Sequence, residues 1–171
     1  MGFEIKQKPT KLFASVIFKD KEFLELAEKK LQESYGELEP VDWCGSFDST
    51  DYYYPEFGRP LQRKLICFKK EIDLEDICNV KLEANSIEDE TRRGGKRCVN
   101  IDPGYVTEAK MVLLTTKNYV HRIYLGKGIF AEGTLLFKDG SFSSWPWTYP
   151  DYASPKLIAY FNKIRKIYRK D

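Results

Sequence analysis

The sequence lacks most of the short motifs by which enzyme families are recognised. It contains a single histidine, which argues against zinc sites built from several histidines. Its four cysteines show no Cys-x-x-Cys spacing, so a structural zinc site is not indicated either. A Gly-x-Ser-x-Gly nucleophile elbow and the GxxxxGK[ST] phosphate loop are both missing. No reaction is therefore identified by motif alone.

Other absences bear on location and partners. No apolar run reaches the roughly 18 residues that a membrane-spanning helix needs, so the sequence predicts no membrane segment. The start MGFEIKQKPTKL lacks the apolar core of a signal peptide, which together with unpaired thiols predicts a cytoplasmic protein. A net charge of +2 does not call for a polyanionic partner.

The bulk composition is that of a folded domain. The chain has 171 residues, of which 42% are hydrophobic and 32% charged, and we see no linker or repeat. This length is enough for one full hydrophobic core. We therefore predict a single globular domain over residues 1–171.

The first hundred residues alternate between strand and helix patterns. Runs of β-branched and apolar residues predict strands, and Asp20 and Asp73 stand where helix N-caps are expected. The predicted order β-α-β-β-α-β is that of a ferredoxin-like α+β core, an antiparallel sheet with two helices on one face. The predicted strands are Lys11–Lys19, Leu38–Ser46, Leu61–Ile72 and Arg97–Ile101, and the predicted helices run from Asp20 to Tyr35 and from Asp73 to the Gly94-Gly95 stop, with a loop at Phe47–Arg59 and Leu74, Ile77, Cys78 and Leu82 as the inner stripe of the second helix.

The rest of the chain is predicted to extend this core. Glycines at 126 and 128 favour a hairpin, and the Ser154-Pro155 pair predicts the start of a terminal helix. The predicted elements are a short helix at Thr107–Thr116, hairpin strands at Tyr119–Leu125 and Ile129–Lys138, and a further strand at Ser141–Trp145.

The hairpin register places the only histidine. A three-residue loop would pair Leu125 with Ile129 and set Arg122 opposite Glu132. His121 would then lie with Ile123 and Leu125 on a core-facing side, away from Arg122 and Glu132. Two interpretations stay open: His121 is a core histidine beside a cross-strand ion pair, or it lines a pocket mouth where Gly133 leaves room for a ligand.

Three further segments carry candidate site residues. In NIDPGY, Asn100 and Asp102 stand at a predicted strand end before a Pro-Gly turn, where site carboxylates often lie, although Asp-Pro-Gly is also ordinary turn chemistry. The segment FDSTDYYYPEFG offers Asp51, Tyr52 and Tyr53 for a metal or polar ligand, or a capped turn packed on the sheet. In WPWTYPDY, Trp147 offers a ring for stacking on a base or sugar, or a lid over the core.

These residues support three hypotheses. The first is an enzyme acting on a small phosphorylated or nucleotide-like substrate, with His121 as general acid/base beside Asp102 and Glu132. In this hypothesis Arg122 and Lys127 hold the anion, and Asp102, perhaps with Asp51, binds a divalent metal such as Mg²⁺. The second is a non-catalytic nucleotide- or RNA-binding module that stacks bases on 52–54 and 145–149. The third is a structural or partner-binding protein.

The chain also resembles a bacterial family catalogued as domain of unknown function 4416. The resemblance covers nearly the whole chain and implies an intracellular bacterial protein, without implying an activity. Phe57 and Gly133 depart from the family wording, in which Met and a β-branched residue are expected. The shared wording is KPTKLF at Lys8–Phe13, TDYYPEFG at Thr50–Gly58, RCVNIDPGY at Arg97–Tyr105, TTKNYVHRIYLGKGIFAE at Thr115–Glu132 and WTYPDY at Trp147–Tyr152.

Overall fold

A computed structural model describes residues 2–170 of the chain. Strands and helices alternate through its first half, and strands predominate in its second half. No helix in this part of the chain is long and apolar enough to cross a membrane. The strands are β1 Thr10–Phe18, β2 Trp43–Ser46, β3 Gln62–Ile72, β4 Val99–Val106, β5 Lys110–Thr115, β6 Arg122–Gly126, β7 Ile129–Lys138 and β8 Ser141–Ser144, and the helices are α1 Lys21–Tyr35, α2 Tyr54–Phe57, α3 Ile77–Glu90, preceded by a 3₁₀ turn at Leu74–Asp76, and α4 Pro155–Arg169.

The strands form one antiparallel sheet, so the predicted α+β class is confirmed. The order across the sheet is β2-β3-β1-β4-β5-β7-β6. Strand β8 pairs with the second half of β7, through Leu135–Lys138, whereas β6 pairs with the first half, through Ile129–Glu132. β6 and β8 therefore follow one another end to end along the same edge of β7.

Helices cover both faces of this sheet. Alternate residues of β1 point to opposite sides, so Leu12, Ala14 and Val16 pack under α1 and α3, and Phe13 packs under α4. The Phe13 ring meets the ring of Phe161 in α4 edge-on, with 5.0 Å between centroids. Two apolar layers, one on each face, therefore hold the sheet.

The terminal helix begins as predicted. Ser154 is its N-cap and its hydroxyl accepts a hydrogen bond from the Leu157 amide, while Pro155 occupies the first turn. Leu157, Phe161 and Ile164 form its buried stripe at helical spacing. Arg165 is also buried.

Two segments adopt a different structure from the one predicted. The predicted helix at Thr107–Thr116 is wrong, because Lys110–Thr115 forms β5. Met111, Val112, Leu113 and Leu114 are all buried, since β5 lies inside the sheet with apolar layers on both faces. The turn predicted at Asp-Pro-Gly is also wrong, because β4 continues through these residues to Val106.

The hairpin keeps the predicted pairing beyond its tip. Arg122 pairs with Glu132, and Ile123 with Ala131, but Gly126 rather than Leu125 pairs with Ile129. The loop has two residues, Lys127 and Gly128, both with positive φ, and a bulge between Tyr124 and Gly126 absorbs the extra residue.

The prediction that Ile123 and Leu125 lie on a core-facing side of this hairpin is wrong. The side chain of Ile123 is 70% exposed and that of Leu125 40% exposed, because β6 is the last strand of the sheet. His121 precedes β6 and lies in a turn closed by the bond from the Arg122 amide to the Tyr119 carbonyl. Strand alternation therefore does not reach His121, and its side chain is not confined to one face.

Candidate functional site

The candidate site begins where β4 and β5 separate. These strands pair only across Gly104–Val106 and Met111–Leu113. The next position of β4 is Pro103, which has no backbone N–H to donate to β5. Toward residue 99, β4 stays paired with β1 alone, and a cleft opens on its other side.

Side chains of α3 replace the missing strand at this cleft. The Glu88 carboxylate accepts a hydrogen bond from the Ile101 amide (2.6 Å), and the Lys81 ammonium donates one to the Ile101 carbonyl (2.8 Å). Both side chains are buried, with 5% of Lys81 and 4% of Glu88 exposed. Burying two charged groups is unfavourable unless they are paired. Hydrogen bonds from these side chains to the amide and carbonyl of Ile101 therefore cost more free energy than ordinary strand pairing would. They keep the cleft open.

A cavity of about 390 Å³ occupies the cleft. Pockets for small molecules have volumes of about 300–1,000 Å³. Five segments supply most of its lining: α3, the strand ends at 100–102 and 113–117, the loop at 47–53 and the segment 149–152. Its charged lining residues are Arg63, Lys81, Glu88, Arg97, Asp102, Lys117, Arg122, Glu132 and Asp151, and four tyrosines, Tyr52, Tyr53, Tyr149 and Tyr152, also line it.

The inner wall is a continuous network centred on Arg97. Its guanidinium binds both oxygens of Glu56 (2.9 and 2.8 Å), one oxygen of Glu88 (2.7 Å) and the side-chain oxygen of Asn100 (3.1 Å). Asn100 in turn donates to the Asp102 carboxylate (2.7 Å), which lies 3.4 Å from the Lys81 ammonium.

This network shifts the protonation of its members. The hydrogen bonds from Arg97 hold the pKa of Glu56 below its ordinary value. Burial raises the pKa of Glu88, and the neighbouring charge of Lys81 opposes that rise. Burial, reinforced by the Asp102 carboxylate, also raises the pKa of Tyr53, so its hydroxyl stays protonated at neutral pH and can donate a hydrogen bond.

A second buried cation closes the far side. Arg63 of β3 is 5% exposed and donates through Nη1 to Asp151. Its guanidinium carbon lies 4.4 Å from the centre of the Phe47 ring and 4.9 Å from that of Tyr152. Within residues 2–170 its buried Nε has no hydrogen-bond partner. Burial raises the pKa of Tyr152 to about 12, so this hydroxyl is also neutral.

The outer rim is built around Lys117 and Arg122. The Lys117 ammonium is 3.0 Å from the Tyr52 hydroxyl and lies 4.4 Å from the centre of that ring. Arg122 donates through Nη1 to the Lys117 carbonyl (3.1 Å) and through Nη2 to the Tyr149 hydroxyl (3.3 Å). Its Nε donates to Glu132 (2.9 Å), so all three nitrogens of Arg122 have protein partners.

His121 lies behind this rim and does not line the cavity. Its Nε2 is 3.0 Å from the same Glu132 oxygen that Arg122 binds. The Glu132 side chain is 2% exposed. The predicted separation of His121 from the Arg122–Glu132 pair is therefore wrong, because His121 leaves the strand pattern in the turn before β6. Glu132 holds both side chains in place.

The aromatic segment WPWTYPDY, residues 145–152, fills the gap between β6 and β8. The Trp147 indole donates to the Gly133 carbonyl (2.9 Å), and the Thr148 hydroxyl to the Thr134 carbonyl (2.6 Å). The Trp147 ring stacks on the rings of both His121 and Trp145, with centroid separations of 5.2 and 5.1 Å. These contacts fix the start of the segment, whose following residues 149–152 line the cavity.

Six of the ten residues predicted as site members line this cavity. They are Asn100, Asp102, Arg122, Glu132, Tyr52 and Tyr53. His121 and Trp147 lie behind the rim. Lys127 is at the hairpin tip, where its ammonium contacts Asn79 (2.7 Å), and Asp51 forms an exposed ion pair with Arg59 (3.0 Å).

The two predicted metal ligands are not brought together. Asp102 lines the cavity, whereas Asp51 does not. In the described part of the chain, no group of three or more His, Cys, Asp or Glu side chains is arranged to hold a metal ion. Asp102 is instead paired with Lys81 and Asn100.

Sequence reasoning missed Lys81, Glu88, Arg63 and Lys117. The first two could have been found from helical spacing, because Ile77, Val80, Ala84 and Ile87 are buried and positions 81 and 88 fall on the same stripe. The predicted stripe instead included Leu82, which is wrong, since Leu82 is 41% exposed. Nothing local to Arg63 or Lys117 indicated a site.

The fold and the site together define an α+β protein with a polar cavity where β4 and β5 separate in its sheet. A family model matches residues 8–168, and the chain belongs to that family, described as a domain of unknown function (DUF4416). Searches of curated proteins and of solved structures gave no match.

Proposed function

We propose that the chain is an enzyme that binds a small phosphorylated or nucleotide-like molecule in the cavity between β4 and β5. The observation that carries this proposal is the buried pair Lys81 and Glu88, which holds the sheet open beside Asp102. A sheet closed by ordinary pairing would satisfy the same backbone groups without burying two charges. Charged groups buried around a cleft are typical of functional sites.

The lining supports the chemical class of the ligand. Five cationic side chains and four tyrosines face a volume suited to a drug-sized or nucleotide-sized molecule. Tyrosine rings pack on planar groups, and hydroxyl and amide groups fix polar ones. Tyr52 and Tyr149 at the rim, with Asn100 and Asp102 inside, provide both kinds of contact.

Asp102 is the proposed proton acceptor. Its side chain is 32% exposed, so one part contacts Lys81 and Asn100 while another part remains open to a ligand. Burial keeps the Tyr53 hydroxyl protonated, and we propose that it donates a hydrogen bond to the ligand. His121, predicted as the general acid/base, is better interpreted as a positioning residue, because Glu132 separates it from the cavity.

The order of the first four strands supports a ferredoxin-like core beneath this site. The order β2-β3-β1-β4, all antiparallel, with helices between β1 and β2 and between β3 and β4, is consistent with the β-α-β-β-α-β succession that the sequence predicts. We propose that β5 to β8 are additions to this core. The cavity would then lie at the junction between core and addition.

The proposal is tested by screening phosphorylated metabolites and mononucleotides for binding, using ligand-observed NMR and then calorimetry. Thr116 is exposed and lines the rim, so Thr116→Trp should fill the entrance and abolish saturable binding. Asn118→Trp is the matched control, because Asn118 is exposed two residues away and does not line the cavity. Binding that Thr116→Trp leaves intact would place the ligand elsewhere.

Catalysis is tested separately with the ligand that binds. Asp102→Asn keeps the shape of the side chain but removes the proton acceptor, so we expect retained binding and a loss of turnover of about 10²-fold or more. Binding without turnover in the wild-type protein would instead favour a non-catalytic nucleotide-binding module.

A further inference from the structure

The charges around the cavity are paired, with one exception. Five basic side chains line it, and four of them have a carboxylate partner that lines it too. These pairs are Arg63 with Asp151, Lys81 with Asp102 (3.4 Å), Arg97 with Glu88 (2.7 Å) and Arg122 with Glu132 (2.9 Å). A ligand anion that approached any of these cations would have to compete with a carboxylate already in place.

Lys117 is the exception. Among residues 2–170, no carboxylate forms an ion pair with it. In the described part of the chain its ammonium contacts only the Tyr52 hydroxyl and the Tyr52 ring. A neutral partner stabilises an ammonium less than a carboxylate or phosphate does.

The backbone of Lys117 is nevertheless fixed. Its amide donates to the Thr115 hydroxyl (3.1 Å), and its carbonyl accepts from Arg122 (3.1 Å), which Glu132 holds in turn. The side chain therefore projects from a held backbone while its own tip is bound only by Tyr52. Further hydroxyl groups of the cavity lining, on Ser49, Thr50 and Thr116, are available as hydrogen-bond donors.

We propose that Lys117 binds the single anionic group of the ligand and that the Tyr52 hydroxyl occupies the position of that group in its absence. This rests on the proposed function and narrows its substrate class. The ligand carries one anionic group, a monophosphate or a monocarboxylate, attached to an uncharged polar body. A second anionic group would meet cations that Asp151, Asp102, Glu88 and Glu132 already neutralise.

Inorganic phosphate is the first probe, followed by amide NMR spectra of the full chain. We expect saturable shifts confined to residues 115–117 and 50–53, and pyrophosphate binding no more tightly than phosphate. Lys117→Met should weaken phosphate binding about tenfold or more, as loss of a hydrogen bond to a charged group does. Lys29→Met is the control, because Lys29 is likewise exposed but lies on α1, outside the cavity.

Tyr52→Phe tests the competition between hydroxyl and ligand. It removes the hydroxyl and keeps the ring, so phosphate should bind about two- to tenfold more tightly, the range of one net hydrogen bond. Unchanged or weaker binding would show that Tyr52 does not occupy the anion position.

Other outcomes separate this inference from the proposed function. A metabolite that binds the wild-type chain, is blocked by Thr116→Trp and is unaffected by Lys117→Met would overturn the role of Lys117 and leave the cavity as the site. Phosphate shifts that are scattered over the surface, or that saturate at the same phosphate concentration in Lys117→Met as in wild type, would also overturn it. Tighter binding of pyrophosphate would overturn the limit to one anionic group.

Discussion

At the scale of single residues, Gly104 has no room for a side chain in the strand that carries the cavity. A Cβ atom built there would lie 2.3 Å from the Val112 carbonyl oxygen and 2.6 Å from the Phe13 ring. Neither neighbour can move easily, since one is strand backbone and the other is a buried core ring. The glycine allows β4 and β5 to come together immediately beside the point where Pro103 separates them.

We therefore expect Gly104→Ala to destabilise the protein by about 1–3 kcal/mol or more, as overpacking of a filled interior does. Gly133→Ala is the control, because no atom lies within 4 Å of the corresponding Cβ position, and it should change stability by about 0.5 kcal/mol at most. Urea denaturation of both variants measures this. Equal stability of the two would mean that β5 can shift to accept the methyl group.

His121 shows what a residue pattern does and does not determine. The sequence predicts its place at the start of a hairpin, near Glu132 and Gly133, and it also predicts the Arg122–Glu132 pairing. The sequence does not predict its orientation, because the predicted strand begins at Tyr119 whereas β6 begins at Arg122, so strand alternation does not apply to His121. One residue at the end of a strand decides whether a side chain faces the core or returns to the ion pair.

At the scale of elements, the contact between α3 and β4 makes the site. The Lys81 ammonium reaches past the edge of β4 to the Ile101 carbonyl and the Asp102 carboxylate. The helix thus supplies the hydrogen bonds that a neighbouring strand would normally provide. Lys81 and Glu88 lie on the same buried face of α3 as its apolar residues. One face of the helix therefore supplies apolar side chains to the core and charged side chains to the cavity.

Replacing Lys81 with methionine tests this contact, because methionine has a similar length and no charge. The Ile101 carbonyl would lose its donor and Asp102 its cation, and we expect a loss of about 2–3 kcal/mol in unfolding free energy. Lys29→Met on α1 should be nearly neutral. If Lys81→Met were neutral too, the cleft would not depend on this side chain.

The wrongly predicted elements share a physical cause. The segment Lys110–Thr115 contains the short apolar run Met111–Leu114, and such a run fits a buried helix or a buried strand equally well when neighbours are unknown. Asp-Pro-Gly favours a turn locally, yet pairing with β1 from Val99 to Val106 keeps it extended. In both places distant strands override the local preference.

At the scale of the whole molecule, ion pairs join segments that are far apart in sequence. Arg97 is held by Glu56 from α2 and by Glu88 from α3, so three segments depend on one guanidinium. Because Arg97 lowers the pKa of Glu56, the folded chain binds fewer protons at Glu56 than the unfolded chain does. The stability from this pair is therefore complete above pH 4.5, the ordinary pKa of glutamate, and is lost as the pH falls through the lowered value.

We predict that Glu56→Gln lowers the unfolding free energy by about 2 kcal/mol at neutral pH, and that the difference from wild type narrows below pH 4.5. Glu37→Gln serves as control, since its pair with Lys69 is exposed and should contribute little at any pH. Denaturation curves of wild type and both variants, recorded from pH 7 down to the lowest pH at which the chain still folds, measure these differences in unfolding free energy. A constant difference across that range would contradict the linkage.

The sequence by itself determined the α+β class, most strands and helices, the hairpin pairing and six of the cavity-lining residues. These follow from local patterns of apolar residues, caps and turns, whose range is a few residues. Only the tertiary structure decided that Asp-Pro-Gly is strand, that the cleft opens there, and that Arg63 meets Asp151 88 positions away. The reason is that residues from several elements form a cavity. Whether Pro103 ends a pairing or begins a turn depends on β1, β5 and α3, which lie outside the few residues on either side of it.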